Sequence, residues 1–225
     1  MRSFILRDYE SYRVNREDNI SIFRSALRKW REDNLRSFSW RNTSDPYEIL
    51  VAEILLQKTA AEKVEPIYDE FLETYPTLND LAEAESETLG QIIYSLGLQN
   101  QRGKALIEIG SELLDRGVPA SEEELLDFPY VGRYAANATL CFAFDEPRAI
   151  VDANVVRVYN RFFGTNFEYR DDEAWRFAAR VLPKNDAQEC NLALLDFGAE
   201  ICTPTSPRCE DCLLSGGCEF YQTHA

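Results

Sequence analysis

Residues 122–164 read EEELLDFPYVGRYAANATLCFAFDEPRAIVDANVVRVYNRFFG. This segment predicts a helix, a tight turn, a second helix, a short break, and a third helix that opens just past Asp152. The turn is Phe128-Pro129-Tyr130-Val131-Gly132. Proline fixes φ and lacks an N–H donor, and glycine tolerates a left-handed backbone, so one helix can stop and another start there. A helix–hairpin–helix of this kind turns backbone N–H groups outward. Together with the N-terminus of the following helix, they suit a phosphate group.

Asp152 lies twenty residues beyond Gly132. Val155, Tyr159, Phe162 and Phe163 recur behind it at helical spacing. The plain reading of Asp152 is therefore an N-cap, whose carboxylate accepts a bond from the second or third helical amide. The helix N-terminus also favours its ionised form.

Working outward, most of the chain reads as helix. Ile20, Phe23, Leu27 and Trp30 line one face of a segment expected at 18–35. Phe38-Ser39-Trp40-Arg41 is an aromatic connector, read as packing. Asp45-Pro46-Tyr47-Glu48 is a strong helix start: the aspartate caps, proline takes the first turn, and glutamate follows three residues after the cap. The helix over 47–57 is apolar almost all round and should be buried. Glu53 and Gln57 share one face of it. They mark either a polar seam or a base pocket in which a desolvated carboxyl keeps its proton.

Further helices are expected at 60–74, 86–96, 103–115, 132–144, 153–163, 172–182 and 186–201. Gly97-Leu98-Gln99-Asn100-Gln101-Arg102 reads as a turn leading into a basic helix start, and Ser121-Glu122-Glu123-Glu124 as a capping box. No segment alternates with period two, so the fold class is all-α. There is no internal repeat.

The chain has 225 residues, 45% of them hydrophobic, enough for one large domain or two small ones with a real core. No apolar run is long enough to cross a bilayer and no signal peptide is read, which predicts a cytoplasmic or nucleoid-associated protein with no membrane partner. The net charge is −15. An excess of carboxylates is unusual for a nucleic-acid binder, but a local basic cleft is compatible with an acidic exterior. An acidic surface also fits a salty cytoplasm, where it maintains solubility.

Cys141 and Cys190 sit in apolar helical contexts and read as buried thiols. Cys202, Cys209, Cys212 and Cys218 are spaced x6, x2 and x5. In a cytosolic chain, such a group reads as metal-binding before disulfide. A single C-x2-C between wide gaps suits a [4Fe–4S] cube better than a zinc site with two short knuckles, although zinc stays open.

The motifs L-x-x-F-P-x-V-G-x-Y and V-D-x-N-V-x-R-V-x-x-R resemble the helix–hairpin–helix DNA glycosylases of the endonuclease III superfamily, most nearly the thymine and adenine glycosylases. The resemblance runs from Phe38 to Cys218, and the cysteine spacing matches that family's [4Fe–4S] loop. It implies two helical lobes: 45–150, a helical barrel with the hairpin, and 1–44 with 151–225, carrying the cluster. A base would be flipped into the cleft between them.

The resemblance also implies site roles. Asp152 would stabilise the oxocarbenium-like sugar and orient water, and Glu53 would act on the leaving base. Tyr134 stands where bifunctional members carry a Schiff-base lysine, so a monofunctional enzyme is expected. Gln57, Lys58, Gln101, Arg102, Val131, Gly132, Arg133 and Asn154 would meet double-stranded DNA carrying a mismatch. Cys202, Cys209, Cys212 and Cys218 would hold the cluster and present Arg208. Tyr130 replaces the first hairpin glycine, a departure that bears on phosphate approach. The expected protein is a monomer acting on thymine or uracil opposite guanine. Excision of adenine opposite guanine or oxidised guanine is the alternative, although adenine glycosylases usually append a further domain, and this chain ends at Ala225. A non-catalytic iron–sulfur DNA-binding protein is the alternative of another class.

Overall fold

A computed structural model describes residues 2–224, with side chains from Glu17 to His224. Among the described residues there are helices and no strands. Two compact units emerge: Ser37–Arg148, and Met1–Arg36 together with Ala149–Ala225.

The unit Ser37–Arg148 is built round α2 (Pro46–Leu56). Asp45 caps it, accepting from the amides of Tyr47 and Glu48, and Pro46 fills the first turn, where its missing donor has no consequence. Every residue from Ile49 to Leu55 is buried, as expected for a helix without a polar face. Around it lie α3 (Ala61–Thr74), α4 (Leu78–Ala82), α5 (Ser86–Ile92), α6 (Gln99–Leu113), α7 (Glu122–Leu126) and α8 (Arg133–Phe144). The aromatic connector is a short 3-10 turn, Ser39–Arg41. Phe38 stacks on Trp40 at 4.7 Å, and Trp40 meets Tyr68 edge-on at 5.5 Å.

The expected continuous helix over 86–96 is broken. α5 stops at Ile92, a 3-10 turn runs Tyr94–Leu96, and Gly97 closes it at φ 73°. α6 then begins at Gln99 rather than 103, entered through Leu98 in a left-handed conformation. α4 was not expected; its five residues bury one side chain, Leu81.

The other unit holds α1 (Arg2–Asn34), α9 (Ala153–Phe163), α10 (Asp172–Val181), α11 (Ala187–Glu200) and α12 (Glu219–His224). α1 extends farther toward the N-terminus than its apolar stripe predicts, and α12 was not expected. Ile20, Phe23, Leu27 and Trp30 are all buried. Phe23 lies 5.0 Å from Phe162 and 5.1 Å from Phe163, ring to ring, and Trp30 meets Phe197 edge-on at 5.3 Å. Cys141 and Cys190 are buried thiols, one in each unit. Among the described residues no helix is long and apolar enough to cross a membrane.

Candidate active site

Asp152 is the N-cap of α9. Its Oδ1 accepts the Val155 amide at 2.7 Å, and its Oδ2 accepts the Asn154 side-chain amide at 3.1 Å. Burial lifts its pKa above the ordinary 3.8. The hydrogen bonds from Val155 and Asn154 and the charge of Arg157 oppose that rise without cancelling it. Desolvation thus outweighs the helix terminus and the hydrogen bonds, and the carboxyl is less acidic than a free aspartate.

Asn154 is itself held. Its Oδ1 accepts from Arg157 Nη2 at 2.7 Å, and the same nitrogen donates to the Gly198 carbonyl at 2.7 Å. Arg157 Nε donates to the Cys202 carbonyl at 2.7 Å. The approach of α11 to α9 needs Gly198, because a Cβ there would stand 2.9 Å from Asn154 Cβ.

Cys202, Cys209, Cys212 and Cys218 line one pocket between α9, the end of α11 and α12. Burial raises the Cys212 thiol to about 11, and the nearby Cys202, Cys218 and Cys209 add to the rise. Among the described residues no group of His, Cys, Asp or Glu is set to hold a metal ion. The donors instead surround a common space, and four soft sulfur donors gathered there fit an iron–sulfur group, which would be bound by the thiolates with release of their protons. Arg161 supports this loop: it donates to the carbonyls of Thr203 at 2.7 Å and Pro204 at 2.9 Å, and approaches Cys202 Sγ at 3.4 Å. Arg208, expected to be presented by the loop, lines the same pocket.

In the other unit, Glu53 is 4% exposed and its Oε2 has no hydrogen-bond partner. Burial raises its pKa to about 8, while the Arg41 charge pulls the other way. Glu53 is therefore a neutral acid near pH 7, with a proton to donate.

The hairpin joins α7 to α8. Ser121 caps α7 by accepting from the Glu124 amide at 3.4 Å. The left-handed residue of the turn is Tyr130, at φ 65°, and not Gly132, whose φ of −87° is ordinary. Gly132 and Arg133 are exposed at the start of α8, and a Cβ added at Gly132 would meet nothing within 4 Å. Tyr134 follows in the first turn of α8 and is half-buried.

Two residues expected to meet DNA lie inside. Val131 packs in the core, and its amide donates to the Phe128 carbonyl at 3.2 Å. Arg102 is 1% exposed. Its guanidinium donates to the carbonyls of Gly97 at 2.9 Å and Gln57 at 2.8 Å, so it organises two turns from below rather than facing a ligand. Gln57 Nε2 donates to the Tyr130 carbonyl, and the Tyr130 phenol donates to Gln101 Oε1 at 2.8 Å. Lys58 is exposed at φ 56°.

Residues 51–184 match the HhH-GPD superfamily of base excision DNA repair proteins. This chain belongs to that superfamily. Over 207 residues it is 39% identical to a thymine/uracil-DNA glycosylase of Methanothermobacter thermautotrophicus, covering 89% of this chain and 94% of the relative. Among solved structures it superposes on a thermostable thymine-DNA glycosylase with a TM-score of 0.88 at 37% identity, covering 92% of this chain and 98% of that one. It also superposes on an endonuclease III in a non-covalent complex with DNA, with a TM-score of 0.81 at 26% identity, covering 92% and 96%. The HhH-GPD match spans α2 to α10 without the C-terminal cysteines. Arg41 and Arg157 were not singled out from sequence as site residues. Nothing in the order of residues says that Arg41 stands near Glu53; the D-x-N-x-x-R spacing did contain the Arg157 signal, since it places the arginine one helical turn past Asn154.

Proposed function

We propose that this chain is a monofunctional DNA glycosylase that hydrolyses the N-glycosidic bond of thymine or uracil opposite guanine. The observation that carries the reading is the half-buried Asp152 carboxyl, held on a helix N-terminus with its pKa raised. As the base departs, the deoxyribose gains positive charge, and an oriented carboxylate stabilises it. A carboxylate made more basic by desolvation also takes a proton more readily from the attacking water. Glu53 supplies a proton to the departing base and is left as a buried anion, a cost that Arg41 reduces. The nucleotide must leave the stack before its glycosidic bond can react.

Tyr134 occupies the position where the resemblance puts a lysine in bifunctional members. Tyrosine cannot form an imine, and no lysine lies between Lys104 and Lys184. The product is then an intact strand with an abasic site. Gly132 and Arg133 at the open start of α8 would take a backbone phosphate. Cys202, Cys209, Cys212 and Cys218 would hold a [4Fe–4S] cluster, which when bound fixes the loop between α11 and α12.

The test is a panel of duplexes carrying G:T, G:U, A:G and A opposite oxidised guanine, with product read before and after alkali. Excision from G:T and G:U, with strand breaks only after alkali, is the expected result. Preferential release of adenine, or a borohydride-trapped covalent adduct, overturns the reading.

A further inference from the structure

We propose that Tyr130 is a positioning residue that sets Gln57 and Gln101 for contact with DNA; the proposal rests on the DNA-binding reading above. A glycine at this turn would adopt φ 65° without strain, whereas a tyrosine adopts it at a cost. Strain that persists at one residue calls for surroundings that hold it there. Here both ends of the residue are engaged. Its carbonyl accepts from Gln57 Nε2, and its phenol donates to the exposed Gln101 at 2.8 Å.

Two neighbouring turns share the same feature. Lys58 and Leu98 are also non-glycine residues with φ of 56°. Arg102 bonds both turns from beneath, through the carbonyls of Gln57 and Gly97. Burial lowers the Arg102 pKa, and the nearby Tyr130 side chain opposes that shift. The hairpin, the turn after α2 and the start of α6 are thus one hydrogen-bonded assembly, and the Tyr130 side chain is the part of it that a hairpin glycine would lack. Gln57 is consequently not a free side chain: its amide is already oriented against the hairpin. The tie between Tyr130 and Gln101 preorganises polar groups that otherwise have to be ordered when DNA binds.

The test is a double-mutant cycle of Tyr130→Phe and Gln101→Leu. Kd is read by anisotropy on a duplex with a stable abasic-site analogue, beside Tm, kcat and KM. Each single variant should weaken binding about 3- to 10-fold, the range of one neutral hydrogen bond. The double variant should be no weaker than either single one. KM should move more than kcat. Tyr130→Gly, which keeps the turn without strain, should match Tyr130→Phe in Kd. Unchanged Kd in both Tyr130 variants, or losses that multiply in the double variant, overturn the proposal, as does a lowered Tm at constant Kd. A wild-type chain that does not prefer the abasic duplex over an undamaged one overturns the DNA reading itself.

Discussion

Arg157 donates through Nε to the carbonyl of Cys202 at 2.7 Å. The same guanidinium reaches Asn154 Oδ1 at 2.7 Å, and Asn154 in turn donates to Asp152. A cysteine of the C-terminal group and the carboxyl at the start of α9 are therefore joined by three consecutive side-chain contacts. Lysine cannot reproduce a fork that serves Asn154, Gly198 and Cys202 at once. Arg157→Lys should lose about 2–4 kcal/mol of stability, because hydrogen bonds to a charged group contribute about 1.5–3 kcal/mol each. It should also slow excision, through the loosened Asn154. Denaturant unfolding and single-turnover rates on a G:T duplex check both. Full stability would show that the three carbonyl and amide contacts carry little.

Asp152→Asn separates the cap from the charge. Asparagine caps a helix about as well as aspartate, so the bond from the Val155 amide survives and stability should change by less than about 1 kcal/mol. Excision should fall about 10²-fold or more, because the anion facing the sugar is gone. A variant that melts early would mean that the carboxylate serves α9 rather than the reaction.

The helix starts were legible because they are local. Asp45-Pro46 and Ser121 with Glu124 hold their caps within four residues of chain. The all-α class followed from apolar spacing that the core then buries, as in Ile20, Phe23, Leu27 and Trp30. What failed depends on distant partners. Arg102 in a polar turn looks solvent-facing, yet it bonds carbonyls of Gly97 and of Gln57, the latter 45 residues away. The break at Ile92–Tyr94 has no proline to announce it, and the glycine before it, Gly90, lies inside α5 rather than at the break. Tyr130 could be seen to depart from the hairpin pattern, but neither its left-handed backbone nor its bond to Gln101 is written in neighbouring residues. The upward shift at Asp152 is a burial effect, and burial of a polar residue at a helix cap cannot be judged from its capping motif.

Gly198→Ala tests how tightly α9 and α11 must approach. The added Cβ would lie 2.9 Å from Asn154 Cβ and 3.4 Å from its backbone carbon and oxygen. Side chain and backbone would both have to shift, and overpacking of this kind costs about 1–3 kcal/mol. The displaced residue is the one that donates to Asp152, so kcat should fall together with Tm. Gly90→Ala is the control: nothing lies within 4 Å of a Cβ there, and a helical glycine replaced by alanine should gain stability, by about 0.5–1 kcal/mol. Equal behaviour of the two variants would remove the close approach as the cause.

Glu53 sets a pH window. Its pKa rises from 4.5 to about 8 on folding, chiefly through desolvation. Below pH 4.5 both folded and unfolded states hold the proton, and the group has no effect on stability. Between 4.5 and about 8 the unfolded chain loses the proton and the folded one keeps it, so stability falls as pH rises, and it levels off above about 8. Glu53→Gln removes that slope and should be the more stable protein at pH 8–9. It should also lose the proton donor, so its excision rate should be low throughout, while the wild-type rate declines above about pH 8. Arg41→Ala removes the charge that lowers the Glu53 pKa, and its alkaline limb should therefore move to higher pH. Rate profiles from pH 6 to 10 on the G:T duplex decide this: an Arg41→Ala limb that moves to lower pH, or a Glu53→Gln protein with wild-type rates, would remove Glu53 as the donor.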